Sequence, residues 1–253
     1  MFEGYRVYDG DAHVIMSPRL WESLPEPYAA RRPRPMQIAD NGDMGFWNSG
    51  WLIEGRMEPH PWGPGSPGAN TPGWGLGSFG ADRAREGSFD LSAPQARLVD
   101  MDQMGIDIQV LFPSSLYACM TGDPGFEAAL FRAYNRYLAA QCKASPGRLR
   151  WAGLLPLRDA REGIEAMEEM VRLGAAAAVV FGTVGERLLS HPSFTPIWDA
   201  FRRAGLPLCV HMGRSYPPFD PLVESRREAH VIAMGMPAQL AFVALVGQGM
   251  LDR

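Results

Sequence analysis

The sequence has little that would tie it to a nucleic acid, a membrane or an oxidising compartment. It carries only three cysteines, Cys119, Cys142 and Cys209, an odd number with no CxxC pair. That excludes a disulfide framework and fits a reducing, cytoplasmic setting. No basic run or heptad pattern appears, and the formal net charge is only -4. The chain therefore offers no electrostatic footprint for nucleic acid, and small molecules are the expected partners. The opening MFEGYRVYDG has no basic region followed by an apolar one, so no signal peptide is expected. The longest apolar window, near AQLAFVALVG, falls short of the roughly 20 residues that a bilayer demands. The first strand-to-helix junction, DGDAHVIMSP, also lacks the glycine fingerprint that receives a dinucleotide phosphate.

What is present is a chain of 253 residues, 46% hydrophobic and 21% charged, enough to bury a large core. One stretch departs from the rest. Residues 29 to 90, with HPWGPGSPGANTPGWGLGSFG at their centre, are dense in glycine and proline and predict a long irregular excursion. Its tryptophans, Trp47, Trp51, Trp62 and Trp74, predict that it packs against something, and His60 within it is a candidate lid residue.

From Ser92 the pattern becomes regular. SAPQARLVDMDQMG reads as a helix capped by Ser92 with Gln95 at capping-box spacing, and stopped by Gly105. Asp123 and Pro124 open a second helix, Gly174 closes a third, and Thr195 with Pro196 opens a fourth. Between them lie apolar runs near residues 106 to 112, 149 to 155, 176 to 181 and 206 to 211, with a first strand near 6 to 13. Strands that are apolar throughout and separated by amphipathic helices are parallel and covered. The class is α/β, and the even rhythm favours a (β/α) barrel over an open doubly wound sheet.

In such barrels the reactive groups stand at the C-terminal ends of strands. Asp11 and His13 end the first strand and His211 ends the fifth. Positions two apart on a strand share a face, so Asp11 and His13 both aim into the barrel mouth. One carboxylate and two imidazoles are a donor set for zinc or a similar divalent ion. On spacing alone, a turn role for Asp11 and a hydrogen-bonded, half-buried role for His13 have equal claim. Arg214 is a candidate partner for a substrate carboxylate, or a solvated loop arginine; His230, near the start of the last helix, is a candidate substrate contact, or a cap.

DGDAHVIMSPRLWESLP, RLVDMDQMGIDIQVLFPS, RAYNRYLAAQC, RLRWAGLLPL and LPLCVHMG, in that order, resemble the amidohydrolase-related family (amidohydrolase 2), which includes metal-dependent hydrolases and decarboxylases. The resemblance runs over nearly the whole chain. It implies a distorted TIM barrel with one divalent metal, zinc foremost, held by Asp11, His13 and His211. Position 11 departs from the family's His or Glu. It implies action on a small cyclic or aromatic compound, by hydrolysis or by loss of carbon dioxide.

Five strands are found where the family has eight, and the family's late-strand aspartate has no counterpart, since Asp220, Glu224 and Glu228 sit in a loop or at a helix start. The expectation is one domain over residues 1 to 253, shortened at its C-terminus, with the catalytic acid unassigned. An unclosed parallel sheet invites self-association into a homo-oligomer. The rival expectation is an inactive fragment that serves only as a binding or assembly partner.

Overall fold

Apolar β-branched, aromatic and small residues run together in the most buried strands, as in Ala177–Phe181, and glycine or proline marks at least one end of each helix. The computed structural model describes residues 3–37, 49–58, 85–114, 116–223 and 228–252. In chain order its main elements are β1 (Tyr8–Val14), β2 (Arg34–Gln37), β3 (Ser49–Ile53), β4 (Arg56–Glu58), α1 (Pro94–Met104), β5 (Ile108–Pro113) and α2 (Pro124–Cys142). There follow β6 (Leu149–Leu154), α3 (Ala160–Leu173), β7 (Ala177–Phe181), β8 (Thr183–Val184), β9 (Arg187–Leu188), α4 (Thr195–Ala204), β10 (Leu208–His211) and α5 (Met236–Gly247).

β1, β5, β6, β7 and β10 form one parallel sheet in that order. Helices separate successive strands of this sheet, and each of its strands pairs with the next one of the same sheet along the chain. There is no reversal of order, which a doubly wound sheet requires, so the sheet turns one way throughout. The architecture is a distorted TIM barrel of which the described residues hold five strands. β7 is buried along its whole length, and β5 and β6 nearly so, because helices cover one face and the barrel interior the other. The core joins Leu111, Trp151, Leu154 and Val179 of the sheet to Phe126, Tyr134, Met170 and Ile197 of the helices.

Four local expectations are corrected. The excursion is not irregular throughout: β2, β3 and β4 make an antiparallel sheet, closed by a two-residue turn at Glu54 and Gly55, both at positive φ. Its driving force is Trp51, fully buried and edge-on to Trp21 at 5.8 Å. Glu54 then stitches this sheet to the barrel, pairing with Arg31 and accepting from Thr121, while Arg31 also binds Asp123 at 2.7 Å. Trp47, Trp62, Trp74 and His60 lie outside the described residues.

Ser92 does not cap α1, which starts at Pro94 after Ala93, because its hydroxyl is already bound to Asp90 at 2.7 Å. Phe194, not Thr195, precedes α4, since a short 3-10 turn capped by the His191 ring runs straight into it. By contrast, Asp123 caps α2 by accepting from the Gly125 and Phe126 amides.

The last correction concerns length. A π-helical turn, Ala229–Gly235, continues into α5. His230–Gly247 is thereby a single 18-residue apolar run, long enough by length and composition to cross a membrane. Pro237, Ala241 and Ala244 are buried, while Phe242 and Val243 are exposed.

Candidate metal centre

In a flat sheet, four strand spacings of about 4.8 Å would hold β1 and β10 roughly 19 Å apart. Yet the rings of His13, on β1, and His211, on β10, have centroids 5.2 Å apart. The sheet therefore rolls until its outer strands aim side chains at a shared axis. Phe112 of β5 fills the space below, stacked on His211 at 5.4 Å and tilted against His13 at 6.5 Å.

Oδ1 of Asp11 lies 3.5 Å from Nε2 of His13 and 3.3 Å from Nε2 of His211. All three ligand atoms fall within 4.8 Å of one another. Bonds of about 2.1 Å at tetrahedral angles put donors about 3.4 Å apart, so the two distances from Asp11 match the edge of a metal polyhedron. Both rings are oriented for it. Nδ1 of His211 is 2.6 Å from the Met212 carbonyl, which as acceptor fixes the proton there and leaves the Nε2 lone pair directed at Asp11. The His13 ring hydrogen-bonds the Pro113 carbonyl. Burial, and next the adjacent His211, pull His13 below the usual histidine value, while Asp11 opposes them. A neutral imidazole is what a cation needs.

Exposure rises across the set, from 15% at the His211 side chain through 37% at His13 to 73% at Asp11. The donors are anchored at the floor and open at the top. A nitrogen- and oxygen-donor set without sulfur suits a borderline or hard divalent ion. The residues present fit such a group.

The three donors open into a cavity of about 260 Å³, which Pro113, Ser114, Tyr117, Met212, His230 and Met234 also line. His230 thus shares the cavity with these three candidate donors, carried there by the π-helical turn. That turn is tied to the loop after β10 by the Gly213 amide, which donates to the Met234 carbonyl at 3.2 Å. Gly213 cannot carry a Cβ, which would meet the Phe181 ring at 2.6 Å. Arg214 does not line this cavity. It lines a neighbouring chamber of about 150 Å³ with Arg56 and Cys119, where its guanidinium grips both oxygens of Asp220. Tyr117 is shared between the two. Burial and the nearby Glu127 push the Cys119 thiol up to about 11, so it is no nucleophile near neutrality.

A model of the amidohydrolase family matches residues 8–246. The chain belongs to that family. Among solved structures, this amidohydrolase is similar to one from Mycobacterium avium subsp. paratuberculosis, with a TM-score of 0.72 at 18% identity, over 98% of this chain and 70% of that one. It is similar to a 5-carboxyvanillate decarboxylase from Novosphingobium aromaticivorans, solved with manganese and 4-hydroxy-3-methoxy-5-nitrobenzoic acid, with a TM-score of 0.64 at 19% identity, over 98% and 62%. A 2,6-dihydroxybenzoate decarboxylase from Rhizobium gives a TM-score of 0.59 at 17% identity, over 98% and 62%. The chain spans less than two thirds of the length of both decarboxylases.

Tyr117 and Ser114 line the amidohydrolase's cavity without having been singled out in the sequence. Their signal was position: both follow β5, and the segments after barrel strands form the mouth.

Proposed function

We propose that this amidohydrolase is a metal-dependent carboxy-lyase acting on a small aromatic acid. The observation that carries the reading is the convergence of Asp11, His13 and His211 on the lining of a cavity of about 260 Å³. Asp11, His13 and His211 would hold one divalent ion, manganese or zinc, with a carboxylate and two neutral imidazoles. Once bound, the ion would fix and polarise oxygens of the substrate.

The rest falls to the chain itself. Pro113, Tyr117, Met212 and Met234 offer flat and apolar walls for a ring. His230 faces the same cavity and is the group assigned to deliver a proton to the ring carbon as that carbon's bond to the carboxylate breaks and carbon dioxide leaves. The balance is one proton taken up and one carbon dioxide released, with no redox change. Arg214, held by Asp220 in the adjoining chamber, is assigned to the far end of a substrate that extends past Tyr117. The similarity to decarboxylases of hydroxylated aromatic acids favours this over hydrolysis.

The test is direct. The manganese-loaded chain is incubated with dihydroxybenzoates and 5-carboxyvanillate, and carbon dioxide and the phenolic product are measured. Release of both supports the reading. Cleavage of amides or lactones without carbon dioxide replaces it with the hydrolase reading, and metal binding with neither activity favours a binding role.

A further inference from the structure

Beneath the candidate metal centre runs a line of polar groups that the reading above does not use. β1 carries a bulge, because Asp9 pairs with Gln109 and Ala12 with Leu111, so that three steps on β1 span two on β5. A bulge takes a residue out of the ladder and re-aims the side chains beside it. Here those side chains belong to Asp11 and His13.

The Asp11 amide is served locally, donating to Oδ1 of Asp9 at 3.2 Å. The other oxygen of Asp9 accepts from Nε2 of Gln109 at 2.9 Å. The Gln109 side-chain oxygen in turn accepts from Nε of Arg97 at 2.8 Å. Through a second nitrogen, Arg97 donates to the His13 carbonyl at 3.2 Å. A guanidinium only donates and a carboxylate only accepts, so the orientation of the Gln109 amide and the direction of every bond are fixed. The line starts on the backbone of one candidate ligand and ends on the backbone of the other.

Gln109 and Arg97 are buried. Burying an arginine in a barrel core is costly, and an apolar side chain of similar size would fill the space as well. Core filling alone therefore gives no reason for this residue type. The two ends of the line do.

We infer that Asp9, Gln109 and Arg97 are positioning residues of the metal centre, clamping the bulge of β1 so that the Asp11 carboxylate and the His13 ring meet His211. The inference rests on the metal reading proposed above. Groups that orient ligands from behind typically govern metal affinity by about 10- to 100-fold.

The experiment uses the full chain and its Asp9→Ala, Gln109→Leu, Arg97→Met and Arg97→Lys variants. Manganese affinity is measured by titration followed by electron paramagnetic resonance, the visible spectrum of the cobalt-loaded protein reports ligand geometry, and thermal melting of the metal-free chain reports stability. Asp9→Ala and Gln109→Leu weaken manganese binding about 10- to 100-fold and alter the cobalt spectrum, and Arg97→Lys recovers part of what Arg97→Met loses. Asp9 is only partly buried, so Asp9→Ala carries the test if Arg97→Met fails to fold. Folded Asp9→Ala and Gln109→Leu variants with wild-type affinity and an unchanged cobalt spectrum overturn the inference and leave the metal reading standing. A wild-type chain that binds no manganese overturns both.

Discussion

Oδ1 of Asp11, on the first strand of the sheet, stands 3.3 Å from Nε2 of His211, on the last. The curl of the sheet brings the two strands together, and each residue offers one donor to the same point. Removing either leaves two donors where three converged. Asp11→Ala and His211→Ala are each expected to lower manganese affinity by more than about 100-fold, beyond the effect of groups that merely orient ligands. Isothermal titration of the purified variants measures this, and a variant that retains wild-type stoichiometry and affinity refutes the assignment of that ligand.

The pH response follows from His13. Its folded-state value lies below the ordinary one, first through burial and then through His211. The unfolded chain thus binds the proton more readily than the folded chain does. The stability that His13 contributes is present in full above about pH 6.5 and is lost as pH falls through the lower folded value. Protons also compete with a metal for the same lone pair, so affinity declines in the same direction. Between about pH 7 and pH 5 the melting temperature of the metal-free chain should fall more for wild type than for His13→Gln. A difference of the opposite sign, seen in paired melts across that range, would rule out a depressed His13.

His230 lines the cavity without belonging to the convergent set. His230→Gln should therefore leave manganese affinity within about twofold while cutting turnover of an aromatic acid by about 100-fold or more, the usual scale of a lost proton donor. Loss of metal binding instead would reassign His230 to the ligand set.

Trp51 anchors the small antiparallel sheet through its contact with Trp21. Trp51→Ala should cost about 3–5 kcal/mol, the range for truncating a fully buried large aromatic. Urea denaturation followed by circular dichroism gives the value, and a loss below about 1 kcal/mol would show that the sheet is held by Glu54 and Arg31 instead.

The barrel strands were legible because parallel, doubly covered strands leave continuous apolar runs, and Ala177–Phe181 is apolar at every position. Asp123 was legible as a cap because an acceptor before Pro124 has one obvious use. The antiparallel sheet was not, since its strands are short and its register depends on Trp51 finding Trp21, a contact between residues 30 positions apart. Arg97 was read only as part of a helix; its burial depends on Gln109 and His13, which no local spacing reveals. Asp11, His13 and His211 could be nominated from strand ends. Their meeting required the curl of the sheet, which is a property of all five strands at once.

That curl has a mechanical consequence. The strands that carry the donors, β1 and β10, are the outermost members of the arc among the described residues, so a cation gripped from both would act as a clasp across its open side. Flattening the arc would then mean prising ligand from ion, and the chain's resistance to proteolysis and to force would depend on occupancy as directly as its chemistry does.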